Sequence, residues 1–504
     1  MKRRPLRWPV LALVSTVIAS AAATAALAAS GGFANSTVSG AFQAPDVSTS
    51  AAAPATPATG CVTPPPVRVT PGIHCYTPAN IRAAYGVDQL AEKGDGQTIV
   101  LVDSYGSPTA AQDLQRFHDT FFPNEPNPNF DAVFPNGAPD YKNDAKGNGQ
   151  SGPIAAANWA GEATLDIEWA YAIAPHAHII LVATPPAETE GVQGFPNLFK
   201  AISDQIDANP AGTVFSMSFG VTEQTFGGAA ASQTAKFDAV FQKGIAKGDT
   251  FFASSGDNGS LGVAKQHRDS TFYSTPTDGW PASSPYVTSV GGTQLQYGWT
   301  WDPTSDIAFN ADGSFNDPYW TFTNGGNQNV VWNESWLPAA TGGGPSAIYS
   351  RPSWQAGVLP GAGNHRLVPD VAWNAAVNGG VLVYTSFFPN VNRIGWHIYG
   401  GTSASSPQVA ALTALAVQRA GHGLGNINPA IYGSGGAWFT DVVPTIQGTA
   451  LSGHLVSNQM FDYNGDGLAV TLNAVPGWPV LSGYDMTTGF GTPWAASYVS
   501  GLAP

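Results

Sequence analysis

Glu162 and Asp166, in the stretch GEATLDIEWAYAIA, stand four residues apart among Leu165, Ile167 and Trp169. On a helix that spacing stacks both carboxylates on one face. Two acids on a largely apolar face repel, so one pKa rises and the pair shares a proton. A plainer reading also fits, in which acids in a first helical turn complement the macrodipole. Ser403, in YGGTSASSPQVAALTALAVQ, follows Gly-Gly-Thr and opens an apolar helical pattern with Pro407 in its first turn. A serine at such a place can be only a helix cap. It also sits where backbone N–H groups and the positive end of the helix would stabilise an oxyanion. Asp257 ends the apolar run of TFFASSGDNG inside a Gly-flanked turn, where an Asx-turn is the structural alternative.

A nucleophilic serine needs a base. The chain has nine histidines. His397 precedes the serine in RIGWHIYGG, His118 belongs to a polar helical segment, and His176 and His178 flank APHAHII. None lies in a Gly-rich strand-to-helix turn of the subtilisin type. The stacked acids are therefore the better proton acceptor. Two other readings stay open: a subtilisin-type protease using Asp103, a histidine and Ser403, and a catalytically silent scaffold that binds peptide or surface polymer.

Buried strands and helices must hold these groups. QTIVLVDSYG, AHIILVATP, GTVFSMSFG and TFFASSGD read as apolar strands. Helical segments at 108–121, 161–174, 197–206 and 234–248 alternate with them, which implies βαβ units and a parallel sheet covered on both faces. Sites in such sheets gather at the carboxyl ends of strands, where Asp103 and Asp257 fall. The Trp/Asn/Gly/Thr-rich stretch 294–340 reads as a β-hairpin or loop insertion, α/β texture resumes at VLVYTS, and the tail from about 437 reads as loop-built.

G-E-x-x-x-D-I-E, S-M-S-F-G, S-S-G-D-N-G, PASSPYVTSVGGT and G-G-T-S-A-S-S-P follow one another in that order. With ATGGGPSAIYSRPSWQ, RLVPDVAWNA and SGYDMTTGFGTP, they make residues 78–500 resemble the sedolisin family, the serine-carboxyl peptidases. The resemblance implies a subtilisin-like α/β fold: a central parallel sheet with helices on both faces and a C-terminal calcium-binding subregion, within a catalytic domain spanning 75–504. It implies Ser403 as nucleophile, Glu162 as general base and acid, Asp166 as the group orienting Glu162, and Asp257 in the oxyanion hole. Acidic endopeptidase or tripeptidyl-peptidase activity on protein or peptide substrates would follow. Asp257 donates to an oxyanion only when protonated, so the expected optimum lies below about pH 5.

The resemblance also implies one structural calcium, held by Asp441 and Asp485 with carbonyls of Val442, Leu481 and Gly483. DYNGDG, with Asp462, Asn464, Asp466 and Gly467, starts like an EF-hand loop, but Asn473 stands where its bidentate Glu would be. Asp278 and Trp280 are expected to line the substrate cleft, with a possible preference for basic substrates.

Composition supports an exported protein. Residues 1–29 carry a basic start (Lys2, Arg3, Arg4, Arg7), an apolar middle and the small-residue run AALAAS, the parts of a signal peptide. Its removal leaves 16 basic against 34 acidic residues, a net charge near −18 that argues against nucleic acid or anionic membrane as partner. Residues 30–74 form an Ala/Pro/Ser/Thr-rich leader, short for a folded propeptide, so leader trimming or direct secretion is expected. Cys61 and Cys75, the only cysteines, are expected to pair in the secreted chain, which is read as a monomer.

Overall fold

The computed structural model describes residues 42–49, 75–138, 153–184, 192, 194–265, 271–301, 308–309, 315–316, 320–334, 339–387, 394–444, 456–463, 469–471 and 475–504. The signal segment 1–29, Cys61 and residues 464–468 of the DYNGDG turn lie outside them. The chain enters through β1 (Phe42–Thr49), β2 (Cys75–Tyr76) and α1 (Pro78–Tyr85). It then alternates through β3 (Thr98–Ser104), α2 (Ala110–Phe121), β4 (Asn129–Val133), α3 (Pro153–Ile173), β5 (His178–Thr184), α4 (Phe195–Ala208), β6 (Val214–Met217), α5 (Ala230–Lys247) and β7 (Thr250–Ser254). β8 (Thr288–Trp301), β9 (Trp320–Val331), β10 (Val371–Asn374), β11 (Gly380–Thr385), β12 (Gly395–Gly400), α6 (Thr402–Ala420) and α7 (Ala495–Leu502) complete the framework.

The central sheet runs β9-β8-β7-β6-β3-β5-β4, and β10 also pairs with β8. Every pairing is parallel except that of β8 with β9. β5 and β4 lie to one side of β3, while β6, β7 and β8 lie to the other. The order therefore switches beside β3, where open parallel sheets place their sites. Alternation along β3 sorts the core into two layers: Ile99 and Leu101 join α3 and α6, whereas Val100 and Val102 join α4 and α5.

Two elements differ from the sequence reading. α3 begins at Pro153, a full two turns before Gly161, and every residue from Trp159 to Pro175 is buried. A helix apolar on all sides belongs in the interior, so Glu162 and Asp166 sit in its middle and cannot be first-turn acids serving the dipole. VLVYTS, second, does not resume α/β texture. It forms β11 of an antiparallel hairpin with β12 in a separate sheet of order β1-β12-β11-β2. The connection from 386 to 394 is too short for the crossover a parallel pair needs. The 294–340 stretch does form a hairpin, β8 against β9.

Candidate active site

Asp103 shares the parity of Ile99 and Leu101, so it faces the layer in which α3 runs. There one carboxylate oxygen each from Asp103, Glu162 and Asp166 lies within 4.8 Å of the other two, and all three residues are buried. Three carboxyls so close cannot all ionise. Burial pushes Asp103 up to about 8. Asp166 is driven well above the usual carboxylate range by burial first, then by the charges of Asp103 and Glu162. The Ser218 hydroxyl lies beside Asp166 and damps that rise without completing a hydrogen bond. Both oxygens of Asp103 and of Asp166 are buried with no hydrogen bond. Each such orphan costs about 1–3 kcal/mol, which a purely structural site would avoid.

Ser403 is the second residue of α6, which packs against α3. The junction is close: a Cβ on Gly161 would come within 2.4 Å of the Tyr399 hydroxyl of β12, so α3 lies directly on the strand that delivers the serine. The helix cap is Gly401, at φ 102°, a conformation that favours glycine. Ser403 therefore caps nothing, and its Oγ is buried without a hydrogen-bond partner. Pro407 stands inside the helix rather than at its first position. Lacking an N–H, it leaves the Ser403 carbonyl without its helical donor.

Asp257 follows β7 and reaches the same helix start. Its Oδ1 accepts both the Thr402 backbone N–H (2.7 Å) and the Thr402 hydroxyl (2.7 Å), while Oδ2 is buried with no partner. Burial pushes this carboxyl up to about 7, against the two Thr402 bonds that favour its charged form. The structure thus places Glu162 and Asp166 on α3, Ser403 on the helix α6 that packs against α3 and β7, and Asp257 in hydrogen-bond contact with the start of α6, and it adds Asp103 to the carboxyl cluster. The Asp103 carboxylate makes no hydrogen bond to a histidine. His118 bonds Tyr171, His176 bonds Asp95 and Glu125, and His178 bonds Asp131.

Asp278 and Trp280 are not where the sequence reading put them. Trp280 is fully buried among Phe195, Phe199, Phe226 and Phe237, with its indole N–H donating to Tyr349. Asp278 is buried too, raised by that burial and then by the charge of Glu223, with its Oδ1 accepting the Gly279 N–H at 2.8 Å. Side chains alternate along an extended strand, and the residue between them, Gly279, is the one whose Cβ would approach Ser255. Trp280 therefore faces inward and packs, building no subsite wall, while Asp278 is buried with its Oδ2 unpartnered.

Four of the five residues expected around calcium are joined in pairs by hydrogen bonds. Asp441 Oδ2 accepts the Gly483 N–H (2.8 Å), and Asp485 Oδ2 accepts the Leu481 N–H (2.9 Å), so two carboxylates meet one loop. Asp441 Oδ1 is buried and unpartnered. Val442 is buried beside them with Val331 and Val480. A hard cation suits this all-oxygen set.

The chain matches the subtilase family model over residues 94–441 and belongs with the sedolisins, the serine-carboxyl peptidases. Kumamolisin of Bacillus sp. (strain MN-32) is 30% identical over 351 residues, covering 68% of this chain and 51% of kumamolisin. Tripeptidyl-peptidase 1 of Macaca fascicularis is 28% identical over 353 residues, covering 66% of this chain and 50% of that enzyme. The chain thus spans about half the length of these relatives. In fold it is similar to the solved Pseudomonas sedolisin complexed with two molecules of pseudo-iodotyrostatin (TM-score 0.58, 24% identity), over 84% of this chain and 97% of that one.

Proposed function

We propose that this chain is a secreted, acid-active serine-carboxyl endopeptidase. One observation carries the reading: a buried, unpartnered serine hydroxyl stands at the start of a helix packed on α3, whose Glu162 and Asp166 cluster with Asp103. Ser403 Oγ attacks the scissile carbonyl as its proton passes to Glu162. Protonated Asp257 donates from Oδ2 to the developing oxyanion. Glu162 then returns the proton to the leaving amine, and water, deprotonated by Glu162, hydrolyses the acyl-enzyme. Asp166, with Asp103 behind it, orients Glu162 and shares the cluster's charge.

Calcium fits the Asp441/Asp485 loop: the two carboxylates and the carbonyls of Val442, Leu481 and Gly483 would hold it. Bound there it would neutralise two acids and tie the C-terminal segment to the loop at 441, outside the chemistry. Residues 1–29 serve as signal, Cys61 pairs with Cys75, and the mature chain is a monomer. No helix among the described residues is long and apolar enough to cross a membrane.

The test is digestion of an acid-denatured protein at pH 3–5, with fragments read by mass spectrometry. Internal cleavage that Ser403→Ala abolishes supports the assignment. Release of tripeptides alone would replace endo- with exo-action. Undiminished turnover at pH 8, or in Glu162→Gln, would overturn the mechanism.

A further inference from the structure

Thr402, next to the serine, sits in a chain of hydrogen bonds with a fixed direction. The Gly256 backbone N–H donates to Thr402 Oγ1 at 3.0 Å, so that oxygen is an acceptor there. The one proton of the hydroxyl goes to Asp257 Oδ1 at 2.7 Å, and the Thr402 backbone N–H reaches the same atom at 2.7 Å. An oxygen that receives two donors is the carbonyl-type oxygen of a neutral carboxyl, because an O–H there would compete with them. Asp257 Oδ2 receives no donor at all, though it is buried. Two left-handed glycines set this geometry, Gly256 at φ 107° and Gly401 at φ 102°. Thr402 is itself wholly buried.

Resting on Ser403 as nucleophile and Asp257 as oxyanion donor, we propose that Thr402 is a positioning residue: its hydroxyl relays the Gly256 N–H dipole to Asp257 Oδ1 and so keeps the catalytic proton on Oδ2. Without the hydroxyl, the neutral carboxyl keeps the Thr402 N–H but loses one of the two bonds that select its proton-bearing oxygen. The charged carboxylate loses the same stabilising bond. Two opposite effects follow from one deletion. Turnover falls, because the donor is mis-set part of the time, while the neutral-side loss of activity moves to higher pH, because the acid ionises less readily. A residue needed only for packing would give the first without the second.

Thr402→Val keeps the shape and removes the hydroxyl, and Thr402→Ser keeps the hydroxyl. The measurements are kcat and KM from pH 3 to 8, inhibition by a peptide aldehyde as transition-state mimic, and thermal unfolding. For Thr402→Val the expected result is a 10- to 100-fold lower kcat at about pH 4, below the roughly 10²- to 10³-fold cost of losing an oxyanion-hole donor outright, because Asp257 itself is kept. KM should stay within about twofold, aldehyde binding should weaken in parallel with kcat, and the neutral limb should shift upward. Thr402→Ser should recover most of each change. If Thr402→Val does not fold, Thr402→Ala compared with Thr402→Ser gives the same contrast. An unmoved neutral limb, or equal damage from Val and Ser, overturns the proposal. Asp257→Ala separates the two levels: full activity there removes the catalytic reading and Thr402 with it. If Asp257 proves essential and Thr402→Val stays silent, only the role of Thr402 falls.

Discussion

Carboxylates behave in opposite ways in two parts of this molecule. Around His176, on the surface, Glu125 is held below its usual range by Lys93 and then His176, and Asp95 is lowered chiefly by its bond to His176. His176 is raised: burial works against its charge, but the bonds to Glu125 and Asp95 at 2.8 Å outweigh it. Around Glu162 the same residue type finds apolar walls and like charges, and Asp103 and Asp166 are pushed upward. Surroundings, not residue identity, decide which acid is a strut and which can carry a proton at work.

The sharpest way to break the contrast is to remove the groups the buried cluster serves. Ser403→Ala and Glu162→Gln should each cut kcat by at least about 10³-fold, measured at pH 4 on a fluorogenic peptide. Asp103→Asn comes next, with a loss of about 10- to 100-fold. It removes a like charge that develops beside Asp166 only as pH rises towards 8, so the acid limb of kcat/KM should stay and the neutral limb should shift. An unchanged neutral limb would leave Asp103 a bystander.

The fold itself should register the buried acids. Folded carboxyls with raised values hold protons that the unfolded chain has released. Their contribution is therefore complete below about pH 4 and is lost as pH rises through about 6 for Asp238, about 7 for Asp257 and about 8 for Asp103. Thermal unfolding with substrate absent should show a midpoint roughly 5–15 °C lower at pH 8 than at pH 4. Chelation should lower it at any pH by removing a ligand of the folded state alone, and added calcium should restore it.

His176→Ala is the smallest of these effects, about 1 kcal/mol or less for a partly exposed pair. Its carboxylate partners lose their contribution as pH falls below their lowered values, and His176 loses its own as pH rises through its raised one. The difference from wild type should thus peak between about pH 4.5 and 6.5, with the activity profile unmoved. A shift of the activity limbs would mean that the two regions are coupled.

Much of the fold was legible because its signals are local. Strands and helices alternate with clear apolar periods, and the elements at 98–104, 178–184, 195–208 and 230–247 fall where those periods put them. The pair Glu162/Asp166 was legible for the same reason, since four residues on a helix share a face. The N-terminal extent of α3 was not, because the Ala-rich run before Gly161 shows no apolar period, although Pro153 at the first position is a start signal. Asp278 and Trp280 misled because the sequence showed a polar and an aromatic residue near Asp257 without showing that the fold buries both.

By itself the chain determined which residue types stand at which spacing. It held a serine after Gly-Gly-Thr, two acids one helical turn apart, an aspartate closing a strand, and no histidine in a setting to serve them. Only the tertiary structure decided that Asp103 faces the same layer as α3, that Gly401 rather than Ser403 caps the helix, and that Thr402 holds Asp257 by one oxygen. Asp103 and Glu162 stand 59 positions apart in the chain, and Asp257 and Thr402 stand 145 apart. A strand buried on both faces reads as one continuous apolar run, so nothing local says which face an aspartate at its end will meet.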